Sequence, residues 1–332
     1  MNSTANNNNE DPAGLLSAYR LDGNGGGSPL TWTEISRETQ FPTPVWIHLD
    51  HSQTSARVWL KSQNAITSVI REALLAENPR PRSFEHAEAI VLILRGINPS
   101  PDSDEDDLVS IRMWLEKNRV ITLRQRTTTL ATSLTQALDE GVGPKNTNDF
   151  LIKIIRTLLD RVEEVVDTID ERVYDLEEQA LDKHHTELRA QLAQLRRTTI
   201  DLRRHLAPQR QAVDRLVSSE TNWLTDQTRV HLREFSDRLQ RHLETLDSAR
   251  ERALVIQEEL NSHLAERTNH TMYLISVFTA VFLPLGLITG LLGINVGGMP
   301  GTENPSAFWW VCGLLSLTTL SVVLALRLKR WL

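Results

Sequence analysis

The sequence predicts an α/β domain that is followed by long helices and by a C-terminal hairpin of two transmembrane helices. The strongest observation is residues 268–302, which contain no Asp, Glu, Lys or Arg and lead into a second apolar segment. Glycine is also absent between Gly143 and Gly286, where polar stretches with spaced leucines indicate long helices. The third observation is a set of short apolar runs before residue 125 that have the length of strands.

The α/β domain is expected at residues 29–145 and on the cytosolic side. Residues 1–28 are predicted to be a flexible N-terminus without the apolar core of a signal peptide. Apolar runs predict strands at 45–50, 89–97, 108–115 and 119–123, and helical patterns predict helices at 53–76 and 127–138.

An acidic run lies between two of these strands, at Asp102 and Asp104–Asp107. We interpret it as a solvated loop, and a cation-sensing role is the alternative. The domain contains no P-loop, dinucleotide-binding fingerprint or nucleophile elbow. The sequence therefore predicts that the protein is not an enzyme and binds no cofactor.

Long cytosolic helices, including a stalk, are predicted at residues 146–270. Leucines recur every seven residues, as in a coiled coil, at Leu181, Leu188, Leu195 and Leu202. The polar segment 218–222 is the expected turn, with an N-cap at Thr225 or Asp226. A helix from there to Leu292 would be roughly 100 Å long.

Two transmembrane helices follow, at 271–292 and 307–326, each long enough for a hydrocarbon core of roughly 30 Å. The connecting loop 293–306 has no Lys or Arg. Basic residues instead lie at the other ends of the spans, at Arg252, Arg267, Arg327, Lys329 and Arg330. Because positive flanks remain in the cytoplasm, we expect a multi-pass protein with both termini cytoplasmic and a basic tail at 327–332.

Acidic residues outnumber basic ones by 43 to 36, and the excess lies before the first span. Such a domain repels the phosphates of nucleic acids and attracts cations, so no nucleic acid partner is expected. Cys312 is the single cysteine, which excludes a disulfide within the chain and zinc clusters of the C-x-x-C type.

One face of the first span is small or polar at most positions, whereas the other faces carry large apolar residues that suit lipid. We call this face the stripe. Its members alternate at steps of three and four: Asn269, Met272, Ser276, Thr279, Leu283, Gly286, Gly290 and Gly293.

The stripe has two interpretations. Gly286 and Gly290 form a small-xxx-small pattern that lets helices pack closely. Alternatively, hydroxyls and an amide along the full span line a pore, since they are poorly used against lipid. Two helices cannot enclose a water-filled path, so a pore requires several copies around an axis.

Two titratable residues lie near the cytosolic end of the stripe. Glu258 falls on its backward extension, where it forms an acidic ring in several copies or belongs to a solvated face. His270 lies one residue off the stripe, where it is an interfacial residue or relays protons or metal. The remaining helix histidines are expected to be surface residues: His184, His185, His205, His231, His242 and His263.

The loop after the first span carries a recognisable motif. Gly293-Ile294-Asn295 is followed by Met299-Pro300, and Phe282-Leu283-Pro284 precedes it at the end of the hairpin's first span. This arrangement resembles the CorA-type divalent metal transporter superfamily, whose signature is Gly-Met-Asn. Ile294 at the middle position resembles the zinc-transporting ZntB branch.

The resemblance implies a homopentameric funnel in a bacterial inner membrane, with a periplasmic loop at 293–306. It implies zinc uptake, with Gly293, Ile294 and Asn295 at the pore mouth, and leaves proton coupling open. Neutral carbonyl and amide oxygens there would hold a hydrated cation loosely enough to release it. The alternative for Asn295 is an ordinary helix C-cap.

Zinc itself is indicated by the resemblance rather than by ligand chemistry. Zinc prefers Cys, His and carboxylate ligands, and the loop offers only Glu303. Glu303 either is an exposed acid without a specific role or concentrates cations at the mouth. A magnesium/cobalt-type CorA channel is therefore one alternative. A membrane-anchored helical scaffold or signalling protein, with the stripe as a packing seam, is the alternative from another class.

Overall fold

The computed structural model describes residues 14–38, 40–97, 108–124, 129–181, 185–294, 301 and 303–328. The chain divides into two compact units, 1–256 and 257–332. The strands are β1 (Leu15–Leu21), β2 (Gly27–Pro29), β3 (Val45–Asp50), β4 (Arg82–His86), β5 (Ala89–Ile97), β6 (Leu108–Glu116) and β7 (Arg119–Arg124). The helices are α1 (Trp32–Arg37), α2 (Thr54–Ser62), α3 (Ser68–Leu75), α4 (Thr129–Asp139), α5 (Thr147–Leu181), α6 (His185–Val217), α7 (Asp226–Leu292) and α8 (Ala307–Leu328).

In the first unit the described strands form one mixed sheet, in the order β2-β1-β3-β7-β6-β5-β4. β3 and β7 are parallel and the other neighbouring strands are antiparallel. β3 is buried at nearly every position, as expected for a central strand that is covered on both faces. The α/β domain predicted from the sequence is confirmed, and so are the predicted bounds of β3 and β5.

Helices cover both faces of this sheet. One face packs against α2 and α3 through an apolar core that includes Ile47, Leu60 and Ile70. On the other face, the rings of Trp46 and Phe150 of α5 lie 5.5 Å apart. The hydroxyl of Ser83 in β4 donates to the carbonyl oxygen of Ala212 in α6 at 2.7 Å.

The sheet begins earlier than the sequence indicated. Strand β1 and the first two residues of β2 lie within residues 1–28, which were expected to be flexible, and β1 pairs with β3. The glycines here build a tight turn. Asp22 Oδ1 accepts hydrogen bonds from the backbone N–H groups of residues 24–26, and Gly23 and Gly25 have φ of +80° and +113°.

The predicted helix 53–76 is wrong in its continuity, because the structure has two helices there. Gln63 and Thr67 are extended, which ends α2 and starts α3. Between them Ile66 is 1% exposed, so burial of its side chain stabilises the break. The segment contains no proline or glycine that would indicate an interruption.

The helical region agrees with the prediction in its main features. α7 extends from Asp226 to Leu292 as one helix, and Thr225 Oγ1 accepts the N–H of Thr228 at 3.2 Å as an N-cap. The heptad leucines of α6 are buried: Leu188, Leu195 and Leu202. The side chain of Leu181 lies outside the described residues.

Ion pairs connect α7 to both preceding helices within the first unit. Arg238 pairs with Asp160 at 2.9 Å and also with Glu163, both on α5. Arg203 of α6 pairs with Asp247 at 2.6 Å. The coiled-coil-like packing expected for these helices is therefore supplemented by charged contacts.

Candidate functional site

Two helices in the described part of the chain are long and apolar enough to cross a membrane. These are α7, in its C-terminal part, and α8. No residue of either apolar stretch is fully buried within the single chain. The predicted pair of C-terminal apolar helices is confirmed.

Each apolar helix has one half-buried face within the second unit. On α7 this face consists of Tyr273, Val277, Ala280, Val281, Pro284, Leu285 and Ile288. On α8 it consists of Val311, Cys312, Leu315, Thr318, Thr319, Val322, Val323 and Leu326. The three-to-four spacing of both sets indicates that α7 and α8 pack against each other along these faces.

The stripe is a different face of α7, and it is exposed at every position. Met272 and Leu283 are 62% and 70% exposed, and the other members are exposed as well. A Cβ atom added at Gly286 or Gly290 would meet no heavy atom within 4 Å. The small residues therefore do not serve to bring α8 close, and the stripe is uncovered in the single chain.

The hydroxyl groups of the stripe are oriented by their own helix. Ser276 Oγ donates to the carbonyl oxygen of Met272 at 2.8 Å, and Thr279 Oγ1 donates to that of Ile275 at 2.8 Å. Because the hydrogens are used internally, the oxygen lone pairs remain available on the outer surface. Such acceptors suit water molecules that hydrate a cation.

The pore mouth predicted from the motif is described in part. α7 ends at Leu292, and the N–H of Gly293 still donates to the carbonyl oxygen of Thr289 at 2.9 Å. Gly293 is exposed, and Ile294 is 47% exposed. Asn295 lies outside the described residues, as do Met299 and Pro300.

The acidic and histidine candidates are on the surface in this part of the chain. Glu258 and Glu303 are exposed and take part in no ion pair among the described residues. The ring of His270 is exposed and stacks on Tyr273 at 6.5 Å between centroids. No cluster of three His, Cys, Asp or Glu that could hold a metal ion occurs in the described residues.

The expectation that the helix histidines are surface residues is wrong for His242, which is 8% exposed. It lies on the face of α7 that packs on the neighbouring helices, and burial lowers its pKa. His205 is half-buried, and its Nδ1 lies 2.8 Å from the carbonyl oxygen of Asp201. His231 is half-buried, His263 is exposed beside Glu259, and His184 and the side chain of His185 lie outside the described residues.

The sheet contains a buried polar group that was not among the residues predicted from the sequence. Arg112 of β6 is 1% exposed and contacts His51 Nε2. Burial and the nearby Arg112 charge lower the pKa of His51 to about 4, so His51 is neutral and accepts the bond. Arg112 is a charged residue at an inward position of a strand, two residues before Trp114, and this pattern could have indicated the buried group.

The CorA-like Mg2+ transporter protein family matches residues 43–330. The chain is 35% identical to the divalent cation transporter CmaX of Pseudomonas aeruginosa over 325 residues, which cover 97% of this chain and 98% of that protein. It is 33% identical to the zinc transport protein ZntB of Yersinia enterocolitica over 315 residues, which cover 95% of each.

Solved structures agree with these matches. The structure of the full-length CmaX protein superposes with a TM-score of 0.84 at 34% identity, covering 97% of this chain and 100% of that one. The CorA magnesium transporter of Methanocaldococcus jannaschii superposes with a TM-score of 0.77 at 17% identity, covering 95% and 98%. At that low identity, the second match shows a shared fold.

Proposed function

Because the chain belongs to the CorA family of divalent cation transporters, we propose that it takes up zinc across a bacterial inner membrane through a pore formed by several copies. Its relatives are named as transporters and not as enzymes. The relatives named as zinc transport proteins support zinc as the cargo.

The observation that carries the pore proposal is the exposure of the whole stripe in the single chain. The stripe is directed away from the half-buried face that meets α8, and its glycines leave open space beside the helix. The hydroxyl oxygens and the amide of the stripe would be poorly used against lipid, which offers them no hydrogen-bond donors. Copies of α7 around a common axis, five in our proposal, would give them water and cations instead.

We propose that the cation is captured with its water shell at Gly293, Ile294 and Asn295. Carbonyl and amide dipoles bind hydration waters more weakly than a carboxylate binds the bare ion, so the ion is released again. Glu303 outside and Glu258 inside would each raise the local concentration of cations. His270, at the cytosolic end of the span, is our candidate for coupling to protons.

Uptake of radiolabelled zinc into vesicles that contain the purified chain tests this proposal. We expect uptake above that of protein-free vesicles and weak competition by excess magnesium. An imposed pH gradient that changes the rate would support proton coupling. Uptake that magnesium abolishes would replace zinc with magnesium as the cargo, and no uptake of either ion would contradict the pore.

A further inference from the structure

The consecutive helices α5 and α6 carry opposite charge. α5 contains ten acidic and four basic residues, whereas α6 contains seven arginines and three acidic residues. Some of the acids of α5 are used inside the chain, because Asp160, Asp170 and Glu177 pair with arginines of α7. Other acidic residues of α5 take no part in these pairs.

An acidic patch lies on the outer face of α5. It consists of Glu171, Asp175 and Glu178 around Tyr174, and all four are exposed. None of the three carboxylates has an ion pair in the part of the chain that the structure describes. The ring of Tyr174 is 64% exposed, which leaves a large amphipathic side chain in the centre of the patch.

A basic patch of matching dimensions lies on the outer face of α6. Arg197 and Arg204 are exposed, and no ion pair involves either of them among the described residues. Ile200, which is 48% exposed, lies between them, and the exposed Ala193 adds a small apolar side chain to the same face. A face that combines arginines with exposed apolar side chains has the composition of an interface centre.

The two patches have the same spacing. Glu171 and Glu178 are seven residues apart, and so are Arg197 and Arg204, which places both pairs roughly 10 Å apart along their helices. If the helices run antiparallel, Glu171 meets Arg204 while Glu178 meets Arg197. Tyr174 then lies beside Ile200.

We propose that the acidic patch of one copy docks on the basic patch of a second copy of this chain. Helices that are joined by three residues run antiparallel, and copies that share one orientation in a membrane keep this relation between neighbours. Within one chain these charges do not pair, although α5 and α6 are in contact. The interface is head-to-tail, and such contacts form a ring when the rotation between neighbouring copies closes, as the proposed pore requires.

This inference rests on the assembly of copies that the proposed pore requires, but it concerns only the first unit. Cross-linking tests it directly in the full chain. Cys312 is replaced by Ser, Tyr174→Cys is placed in one tagged copy and Ile200→Cys in a second, and the two are co-expressed. A short bis-maleimide should link the two tags efficiently, and much less so when both copies carry Tyr174→Cys.

Two matched controls accompany this experiment. Copies with Val58→Cys and Val69→Cys, which are 59% and 70% exposed, report random collision. Charge reversal by Arg197→Glu and Arg204→Glu should abolish the link, and adding Glu171→Arg and Glu178→Arg should restore it. The same reversal at the exposed Arg37 and Arg80 should have no effect.

A link no stronger than random collision, or one that survives charge reversal, would overturn the proposed interface. Native mass spectrometry of the same samples separates this failure from that of the pore. Oligomers without the link would leave the pore proposal standing, whereas a monomeric unmodified chain would contradict both proposals.

Discussion

Arg252 of α7 donates two parallel hydrogen bonds to the carboxylate of Glu177 on α5, from Nε at 2.8 Å and from Nη2 at 2.7 Å. Its remaining nitrogen, Nη1, donates to Asp170 at 3.0 Å. The hydrogen bonds from Arg252 lower the pKa of Glu177. This fork connects α7 to the helix pair just before the boundary of the first unit at residue 256.

We expect Arg252→Met to destabilise the first unit modestly. The two side chains are 31% and 38% exposed, so solvent screens the pair, and the loss should be about 0.5–1 kcal/mol. Thermal unfolding of the full chain in detergent, followed by circular dichroism, measures this. Arg241→Met is the control, because Arg241 makes a single bond to Glu234 at 3.3 Å and both side chains are 60% exposed. An equal loss of stability in this control would contradict the role of the fork.

Substitution of the stripe glycines tests what the stripe faces. Gly286→Val should leave the isolated subunit unstrained, since its Cβ would meet open space. If copies of α7 approach each other there, the added methyl groups should weaken assembly and lower zinc flux about tenfold, a barrier increase of ~1.4 kcal/mol. Gly313→Val on α8, equally open in the single chain, is the matched control. Normal assembly and flux in Gly286→Val would indicate that the stripe faces lipid.

The hydroxyl of Thr279 can be removed with little change in shape. Thr279→Val should lower zinc flux several-fold, because the pore loses an acceptor for hydration water, and assembly should be unchanged. Thr289→Val provides the comparison, since Thr289 makes the same bond to its own helix, to Leu285 at 2.9 Å, but lies off the stripe. Flux that falls equally in both variants would point to a general effect on α7.

Buried histidines in the sheet should make stability depend on pH. Burial, followed by the charge of Arg124, lowers the pKa of His48 from 6.5 to about 4. The unfolded state therefore binds more protons between these values, and the free energy of unfolding should fall as pH drops from about 6.5 to about 4.

His48→Asn keeps a polar group near Thr122, 2.8 Å from the imidazole Nδ1, and removes the titration. Its unfolding free energy should vary less steeply over that interval, by up to about 1.4 kcal/mol per pH unit. Urea unfolding of the full chain at several pH values measures the slope. His86→Asn removes an exposed imidazole instead, and a similar change of slope in that variant would contradict the role of burial.

The sequence indicated the fold best where one physical signal dominates. The bounds of α7 agree closely with the prediction, because no breaker interrupts residues 226–283 and a turn cluster precedes it. β1 was missed because Gly23 and Gly25 resemble a flexible segment, although their positive φ values serve a turn that Asp22 caps. The break between α2 and α3 depends on the tertiary burial of Ile66, which no local pattern shows.

The candidate site shows a similar division. Helical periodicity grouped the residues of the stripe, but periodicity cannot say whether Gly286 and Gly290 meet α8 or another copy. The open space beside both glycines decides against α8. The inward position of Arg112 in β6 could be read from the sequence, but its contact with His51 could not, because that contact depends on how β6 pairs and on what covers it.

The most direct test is zinc flux into proteoliposomes that contain Asn295→Ala, measured beside the unmodified chain at equal protein content. Our proposal predicts that this variant assembles normally, as judged by native mass spectrometry, and carries almost no zinc, because the ring of amides that holds the hydrated ion is gone. Zinc flux equal to that of the unmodified chain would contradict capture of the cation at residues 293–295.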